Sequence, residues 1–226
     1  SVTITKTKTG KYFCSITFGY EAEPPEPVIP TPARTVGLNY SMSRFYVDSN
    51  GNSPELPPRM AAAREKLARM QRKLSRMQQG SKNYEAQLHK IRLQYERIAN
   101  QRRDFAHQQS RRIANAWDAV CVRGDDLNVM AQRLKGGNVP DSGFGMFRAF
   151  LRYKLEAQGK AYIDVDPYAP AAKTCHACGH VNENLPARAR SWVCPLCGEE
   201  LLREENTAQN IRDFGLMAVT RQPGVA

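Results

Sequence analysis

Two copies of one short knuckle, Cys175-His176-Ala177-Cys178-Gly179 and Cys194-Pro195-Leu196-Cys197-Gly198, lie fifteen residues apart, and they restrict the fold more than any other feature of the chain. Four thiolates at that spacing satisfy one tetrahedral Zn²⁺ at about 2.3 Å each, with no open coordination position. The glycine after each pair permits the tight turn that aims both sulfurs inward. A closed site of this kind builds structure and does no chemistry, so a structural zinc held by Cys175, Cys178, Cys194 and Cys197 is expected. Two disulfides are the competing reading, but no secretory-type signal opens the sequence, and CxxC pairs in an intracellular chain favour metal or redox use. His176 and His180 stand near enough to compete as ligands and are read as bystanders. Cys14 and Cys121 fall in apolar, strand-like runs and are read as small core residues.

A chain of 226 residues with 41% hydrophobic content can bury a real core of one good-sized domain plus a small satellite. No apolar run approaches the ~20 residues that span a bilayer, so a soluble protein without a membrane partner is expected. The net charge of +11 is unevenly placed. Arg59 to Arg112 holds fifteen Lys+Arg and four Asp+Glu, and the other 18 basic and 18 acidic residues cancel. The whole excess therefore lies in one segment, which points to a polyanionic partner.

That segment is helical by period: Leu67, Met70, Leu74 and Met77 form one stripe, and Tyr84, Leu88, Ile91, Tyr95, Ile98 and Phe105 form a second after a break at Gln79-Gly80-Ser81. Two antiparallel helices follow, leaving Arg69, Arg72, Lys73, Arg76, Lys90, Arg92, Arg97, Arg102 and Arg103 to water or phosphate. A solvated coiled-coil face is the bland alternative, but such faces usually mix both signs. Before the helices come a hairpin, Val2–Thr5 and Lys11–Phe18 around Thr9-Gly10, that belongs to a larger sheet; a stiff linker from Glu23 to Pro32; and two strands, Val36–Asn39 and Phe45–Val47, turned over at Asn50-Gly51. The start at Ser1 without methionine suggests further chain upstream. After them come a strand at Ala119–Val122, a helix near Phe144–Gln158, a strand at Ala161–Val165 and a last helix from Glu204 packing Ile211, Leu216 and Met217. Strands alternating with helices argue for an α/β core.

Seven blocks stand in one order: Val36-Gly37-Leu38-Asn39; Leu74-Ser75-Arg76 to Asn83; Arg97 to His107; Asp126-Leu127-Asn128-Val129; Lys173-Thr174-Cys175 with Cys178-Gly179; Trp192, Cys194 and Cys197-Gly198; Asn206, Ala208 and Asn210-Ile211. Together they resemble the C-terminal half of TnpB, the transposon-encoded RNA-guided nucleases ancestral to type V CRISPR effectors. The resemblance implies the end of a wedge β-domain with a Pro-rich linker (1–32). It implies next a RuvC-like, ribonuclease H-type domain (33–170) with a basic helical-hairpin insertion (59–112). A zinc ribbon that helps hold target DNA (171–200) and a terminal RuvC helix and tail (201–226) complete it.

RuvC chemistry uses three carboxylates to hold two divalent metals roughly 3.5–4 Å apart, and this chain departs from that set. The family's first aspartate, in its Gly-Ile-Asp motif, falls on Asn39. The second position, a glutamate, falls on Arg123 when counted forward from Asp104 and on Asp125 when counted back from Asp126-Leu127-Asn128. A guanidinium about 4 Å from a divalent ion costs on the order of 8 kcal/mol at an effective dielectric of ~20. The third, an aspartate, falls on Glu204, one methylene longer, where a shift of about 1 Å can cost ~10²-fold in rate.

The resulting expectation is an RNA-guided DNA-binding protein with an inactivated RuvC centre that represses transcription by occupying guide-matched DNA. Its partners would be a guide RNA and double-stranded DNA, as one copy or a homodimer, in the prokaryotic cytoplasm at the nucleoid. Mg²⁺ is not supported by the altered positions. Arg69, Arg72, Lys73, Arg76, Arg97, Arg102 and Arg103 are the expected phosphate or guide contacts. The alternative is an RNA-guided endonuclease using Asp125 or Asp126, Glu204 or Glu205, and Asn39 as a weak ligand. A third reading is a transposon relic that binds nucleic acid without guidance. Asp164 and Asp166 are read as turn chemistry, Trp192 as ribbon packing, Tyr12, Phe13 and Phe18 as core, Arg188 and Arg190 as open between phosphate contact and surface, and Gly136–Gly145 as a lid.

Overall fold

In the computed structural model, which describes residues 1–21, 23–125 and 143–220, the chain forms two packing units. One is built from Ser1–Pro24 and Leu56–Phe105, the other from Pro25–Glu55 and Ala106–Ala226. The Asp126-Leu127-Asn128 block and most of the Gly136–Gly145 stretch lie outside the described residues.

In the first unit, β1 (Val2–Lys6) and β2 (Tyr12–Ile16) pair antiparallel, Val2 opposite Ile16 and Lys6 opposite Tyr12. Thr9 Oγ1 and Lys11 Nζ, at the turn, each donate to Glu96 at 2.6 Å. Both faces of this two-stranded hairpin are exposed. Cys14, expected in a core, is therefore exposed, as are Tyr12, Phe13 and Phe18.

Helix α1 (Pro58–Leu74) starts on a proline, which has no N–H to leave unpaired at the first turn. It runs antiparallel to α2 (Lys82–Ala116): Gln94 Nε2 donates to the Ala63 carbonyl at 2.9 Å and Gln87 Nε2 to the Met70 carbonyl at 3.1 Å. The α2 seam steps through Gln87, Ile91, Gln94 and Ile98 to Phe105, all buried, whereas Leu88 is half-buried and Tyr95 is 50% exposed. Leu88 and Tyr95, expected on the seam, are displaced because the spacing alternates three and four residues. The glutamines that replace them satisfy their amides on α1 carbonyls.

In the second unit, β3 (Thr35–Ser41), β4 (Phe45–Asp48), β5 (Ala119–Arg123) and β6 (Ala161–Val165) form one mixed sheet in the order β4-β3-β5-β6. The first pair is antiparallel, and β3, β5 and β6 run parallel. The β3–β4 hairpin closes at Met42–Arg44 and leaves Phe45 at φ 73. The chain turns over at Asn50-Gly51, just after β4, where Asp48 Oδ1 accepts the N–H groups of Asn50 and Asn52 and the Asp48 carbonyl accepts the Gly51 N–H at 3.0 Å.

Helices cover both faces of the sheet, so β3, β4 and β5 are buried nearly without interruption. Phe45 and Tyr46 pack on Phe147 of α3 (Phe144–Glu156). On the opposite face Cys121, Ile163 and Val165 meet Ile211 of α4 (Arg203–Thr220). Burial pushes the Cys121 thiol up to about 12, so this cysteine is a packing group. The α4 stripe is Ala208, Ile211 and Gly215, and Met217, expected to pack, is 52% exposed because it turns away from that stripe.

Helix and sheet approach closely at Gly37. A Cβ there would lie 2.1 Å from the Ala208 carbonyl and 2.6 Å from the Arg212 amide, both backbone. Gly37→Ala is expected to destabilise this unit by about 3 kcal/mol or more, since backbone cannot yield as a side-chain tip can. A denaturant midpoint within error of the parent's would refute the close packing.

A cysteine cluster, a small cleft and a cationic helix face

The two knuckles are near copies in geometry. Gly179 N donates to the Cys175 carbonyl at 2.8 Å and Gly198 N to the Cys194 carbonyl at 2.9 Å, with the glycines at φ 76 and 77. The four Sγ atoms lie within 4.8 Å of one another. Cys175–Cys197 and Cys178–Cys194 are 3.7 and 3.6 Å apart. A tetrahedral ion bound at ~2.3 Å sets its sulfurs about 3.8 Å apart, so the gap fits a four-thiolate metal and is too wide for disulfides.

Desolvation opposes ionising Cys194, but the N–H groups of Cys197 and Leu196 and the thiols of Cys197 and Cys178 outweigh it and bring this thiol down to about 6. At Cys178 the His180 N–H pulls downward, while desolvation and the sulfurs of Cys197, Cys194 and Cys175 push the thiol up to about 12. The cluster cannot carry four negative charges without a cation among them. Beside it, Leu185, Trp192 and Leu201 form a small core under β7 (Ser191–Val193) and β8 (Glu200–Leu202).

Helix α4 fastens this ribbon. Asn206 Nδ2 donates to the Thr174 carbonyl at 2.8 Å and its Oδ1 accepts the His176 N–H at 3.0 Å. Asn210 Nδ2 donates to the carbonyls of Ala171 at 2.8 Å and Thr174 at 2.6 Å. Both asparagines are buried, so each amide replaces the water those backbone groups would otherwise need.

Asn39, Arg123 and Asp125 line one cleft with Leu38, Tyr40, Val122, Phe144 and Arg148. Parallel pairing of Leu38 with Val122 sets Asn39 and Arg123 level at the carboxyl ends of β3 and β5. The cleft holds about 10 Å³, room for about one water. Arg123 donates to the Pro167 carbonyl at 2.5 Å and pairs with Asp125 at 3.2 Å. Arg148 donates to the Asp125 carbonyl at 2.9 Å.

Glu204, in the first turn of α4, meets the same strand ends. Asn39 Nδ2 donates to its main-chain carbonyl at 3.3 Å, Ser41 Oγ donates to Oε1 at 2.8 Å, and the Arg44 guanidinium takes Oε2. Glu205 reaches Gly51 instead, with its carboxylate at the site a Gly51 Cβ would approach. Among the described residues, the four cysteines are the one group of three or more potential ligands that could hold a metal. Asp164 pairs with Arg148 and Arg152, and Asp166 Oδ1 accepts the Tyr168 N–H in a local turn.

Arg69, Arg72 and Lys73 on α1 and Arg76 in the turn just after it are exposed around a hollow of about 370 Å³ with Met77. Arg97 lines a second hollow of about 330 Å³ with Lys11, Glu96 and Asn100. Arg103 is exposed and Arg102 half-buried. Of the four acids in this segment, Glu96 and Asp104 are engaged by Lys11 and Arg59.

A family model described as a probable transposase, OrfB_IS605, matches residues 17–133, more than half of the chain. The chain belongs to the TnpB family. A second model, the Cas12f1-like TNB domain, matches residues 144–211 of this TnpB-family chain and so includes the cysteine cluster. A protein of Streptomyces pristinaespiralis, named "Putative RNA-guided DNA endonuclease", is 30% identical over 231 residues, covering all of this chain and 55% of the relative. The TnpB-like protein L79 of Acanthamoeba polyphaga mimivirus is 29% identical over 135 residues, 56% of this chain and 25% of the relative. The chain thus spans about half the length, or less, of these relatives. Among solved structures, one chain of a Cas12f1-sgRNA-target DNA complex superposes with a TM-score of 0.58 at 18% identity, over 84% of this chain and 40% of that one. The shared architecture is a mixed α/β fold.

Three residues around the cleft, Ser41, Arg44 and Arg148, escaped the sequence reading, and so did the fastening role of Asn206 and Asn210. Arg44 and Ser41 reach Glu204 from residues about 160 positions away, a contact no local period encodes. Asn206 and Asn210 carried a usable signal, an i, i+4 amide pair on a helix beside the second knuckle. Arg148 sits on the buried side of α3 because its guanidinium reaches the Asp125 carbonyl and the Tyr162 hydroxyl. No helix among the described residues is long and apolar enough to cross a membrane.

Proposed function

We propose that this chain is the C-terminal half of an RNA-guided DNA-binding protein whose RuvC-type nuclease centre is inactive, and that it represses transcription by occupying guide-matched DNA. One observation carries the reading: where two divalent ions would need three converging carboxylates, Asn39 offers an amide and Arg123 a guanidinium, while Asp125 and Glu204 are each paired with arginine. The residues present do not suit a magnesium pair. The named activity of the Streptomyces relative and the sgRNA and target DNA in the Cas12f1 complex support guide RNA and duplex DNA as partners.

The four cysteines would hold zinc, whose tetrahedral thiolate geometry matches the sulfur spacings. Residues 33–170 would form the RuvC-like domain with 59–112 as its inserted hairpin, 171–200 the ribbon that helps grip the target, 201–226 the terminal helix and tail, and 1–32 the end of a wedge domain and its linker. Arg69, Arg72, Lys73, Arg76, Arg97, Arg102 and Arg103 would track phosphates. Base pairing supplies the sequence choice while the protein holds the duplex backbone. The bacterial relative fits a cytoplasmic, nucleoid setting, as one copy or two.

The test is to incubate the complete protein, its co-purified RNA and a matching duplex in Mg²⁺ and in Mn²⁺. The duplex is expected to be retained on the complex and left intact. Cleavage that vanishes on Glu204→Ala would instead establish the second reading, an endonuclease with an altered carboxylate set, which the name of the relative favours.

A further inference from the structure

We propose that Arg44 is a positioning residue that withholds Glu204 from any cation, so that restoring acids at positions 39 and 123 would not by itself rebuild a metal centre. This rests on the inactive-centre reading above and deepens it. A carboxylate serves a divalent ion through its oxygens, and each oxygen of Glu204 already faces a donor: Oε1 the Ser41 hydroxyl at 2.8 Å, Oε2 the Arg44 guanidinium, whose positive charge repels a second cation.

The hairpin is shaped to deliver that guanidinium. The Arg44 amide donates to Ser41 Oγ at 3.3 Å and its carbonyl accepts the Tyr46 N–H at 2.9 Å, which pins the turn on both sides of Arg44. Phe45 follows at φ 73, a left-handed backbone that bulky residues adopt only when their surroundings impose it. Here the surroundings are Phe144 and Phe147, against which the Phe45 ring packs edge-on at 5.7 and 5.3 Å. Rigid packing below the hairpin thus fixes a cation above the first turn of α4. A cation is disfavoured at a helix amino end, and the Glu204 carboxylate offsets that charge.

Asn39 completes the arrangement from the other side. Its Nδ2 donates to the Glu204 carbonyl, so the main chain at this point is satisfied by an amide hydrogen. An aspartate at 39 would set two oxygens facing each other there, with a metal ion needed between them. The site is satisfied as it stands, by Asn39, Ser41 and Arg44 together.

The pair is half exposed, Arg44 at 50% and Glu204 at 37% of their side-chain surface, so water screens it and the expected effect is moderate. The test measures Mn²⁺ binding to the 226-residue, zinc-loaded chain by calorimetry and by the resonance of bound Mn²⁺. The variants are Asn39→Asp with Arg123→Glu; that pair with Arg44→Ser; and that pair with Arg44→Lys. The Arg44→Ser triple is expected to bind Mn²⁺ about three- to tenfold more tightly than the double variant, and the Arg44→Lys triple no more tightly than the double. Adding Glu204→Gln to the Arg44→Ser triple should abolish the gain, a result that mere loosening of the hairpin would not produce. Arg44→Met serves in place of Arg44→Ser if the serine variant does not fold. Equal affinity of double and triple variants, weak or tight, overturns the role of Arg44, as does a gain that survives Glu204→Gln. Cleavage of matched DNA by the unaltered protein would overturn the inactive-centre reading itself, and the two failures are read in separate tubes.

Discussion

Chelating the ion from the four-cysteine cluster is expected to unfold the ribbon while the four-stranded sheet stays paired. The ribbon's own resources are slight: two strands of three residues, β7 and β8, and a core of Leu185, Trp192 and Leu201 beside the cysteines. A body of that size cannot hold itself together by apolar burial alone. Bound zinc in comparable sites supplies ~10–16 kcal/mol of apparent binding energy, and that energy is folding energy. The sheet draws on none of it, because α4 covers β3 and β5 through Gly37, Cys121 and Ile211. The chain has two tryptophans, and Trp192 is 8% exposed. In a Trp117→Phe background, chelation should shift the emission to longer wavelength as the ribbon opens, and added zinc should restore it. Cys194→Ser should behave as the chelated protein does at moderate zinc concentration. Unchanged emission after the metal has been removed would mean that the knuckles fold without it, and the cluster's structural role would fall.

Affinity for nucleic acid should drop by about 10³–10⁵-fold between 50 and 200 mM salt if six to ten phosphates are engaged. The electrostatic argument begins in composition, with the whole +11 excess between Arg59 and Arg112, and it sharpens on α1. Arg69, Arg72 and Lys73, with Arg76 just past the helix end, surround a hollow that an extended backbone could enter. Their apolar neighbours Leu67, Met70 and Leu74 are half-buried. Replacing all four cations by glutamine should weaken binding regardless of sequence and flatten the log–log salt slope by roughly three to four units. A slope unchanged by the quadruple substitution would move the phosphate contacts elsewhere, with Arg97 and Arg103 next in line. A flat salt response in the parent would remove the electrostatic case altogether.

Much of this architecture can be read from the residues, and the exceptions have physical causes. The knuckles are legible because metal geometry dictates spacing, and the core strands because a sheet covered on both faces needs short apolar runs such as Ala119–Val122. The helical hairpin is legible as a pair of periods, but its seam is not. Gln87 and Gln94 occupy buried seam positions that their polarity would deny them, because acceptors on α1 carbonyls become visible only once the helices are docked. Cys14 fails for the converse reason: alternation shows that a strand has two faces, not whether anything covers them. At the cleft, the two-residue uncertainty between Arg123 and Asp125 resolves into proximity, since the strand end and the turn after it line the same wall. Arg44 was beyond reach, since its partner lies 160 residues away.

Away from the cleft, helix α4 is held on the ribbon side by two buried asparagine amides and by the Arg203 guanidinium on the Pro186 and Ala187 carbonyls, and on the sheet side by a glycine whose missing Cβ lets backbones touch. None of these fastenings uses the charged side chains that line the cleft. The electrostatics beside Glu204 can drift a long way while the scaffold notices nothing. A lineage could therefore exchange cutting for holding within a few substitutions and inherit its grip intact.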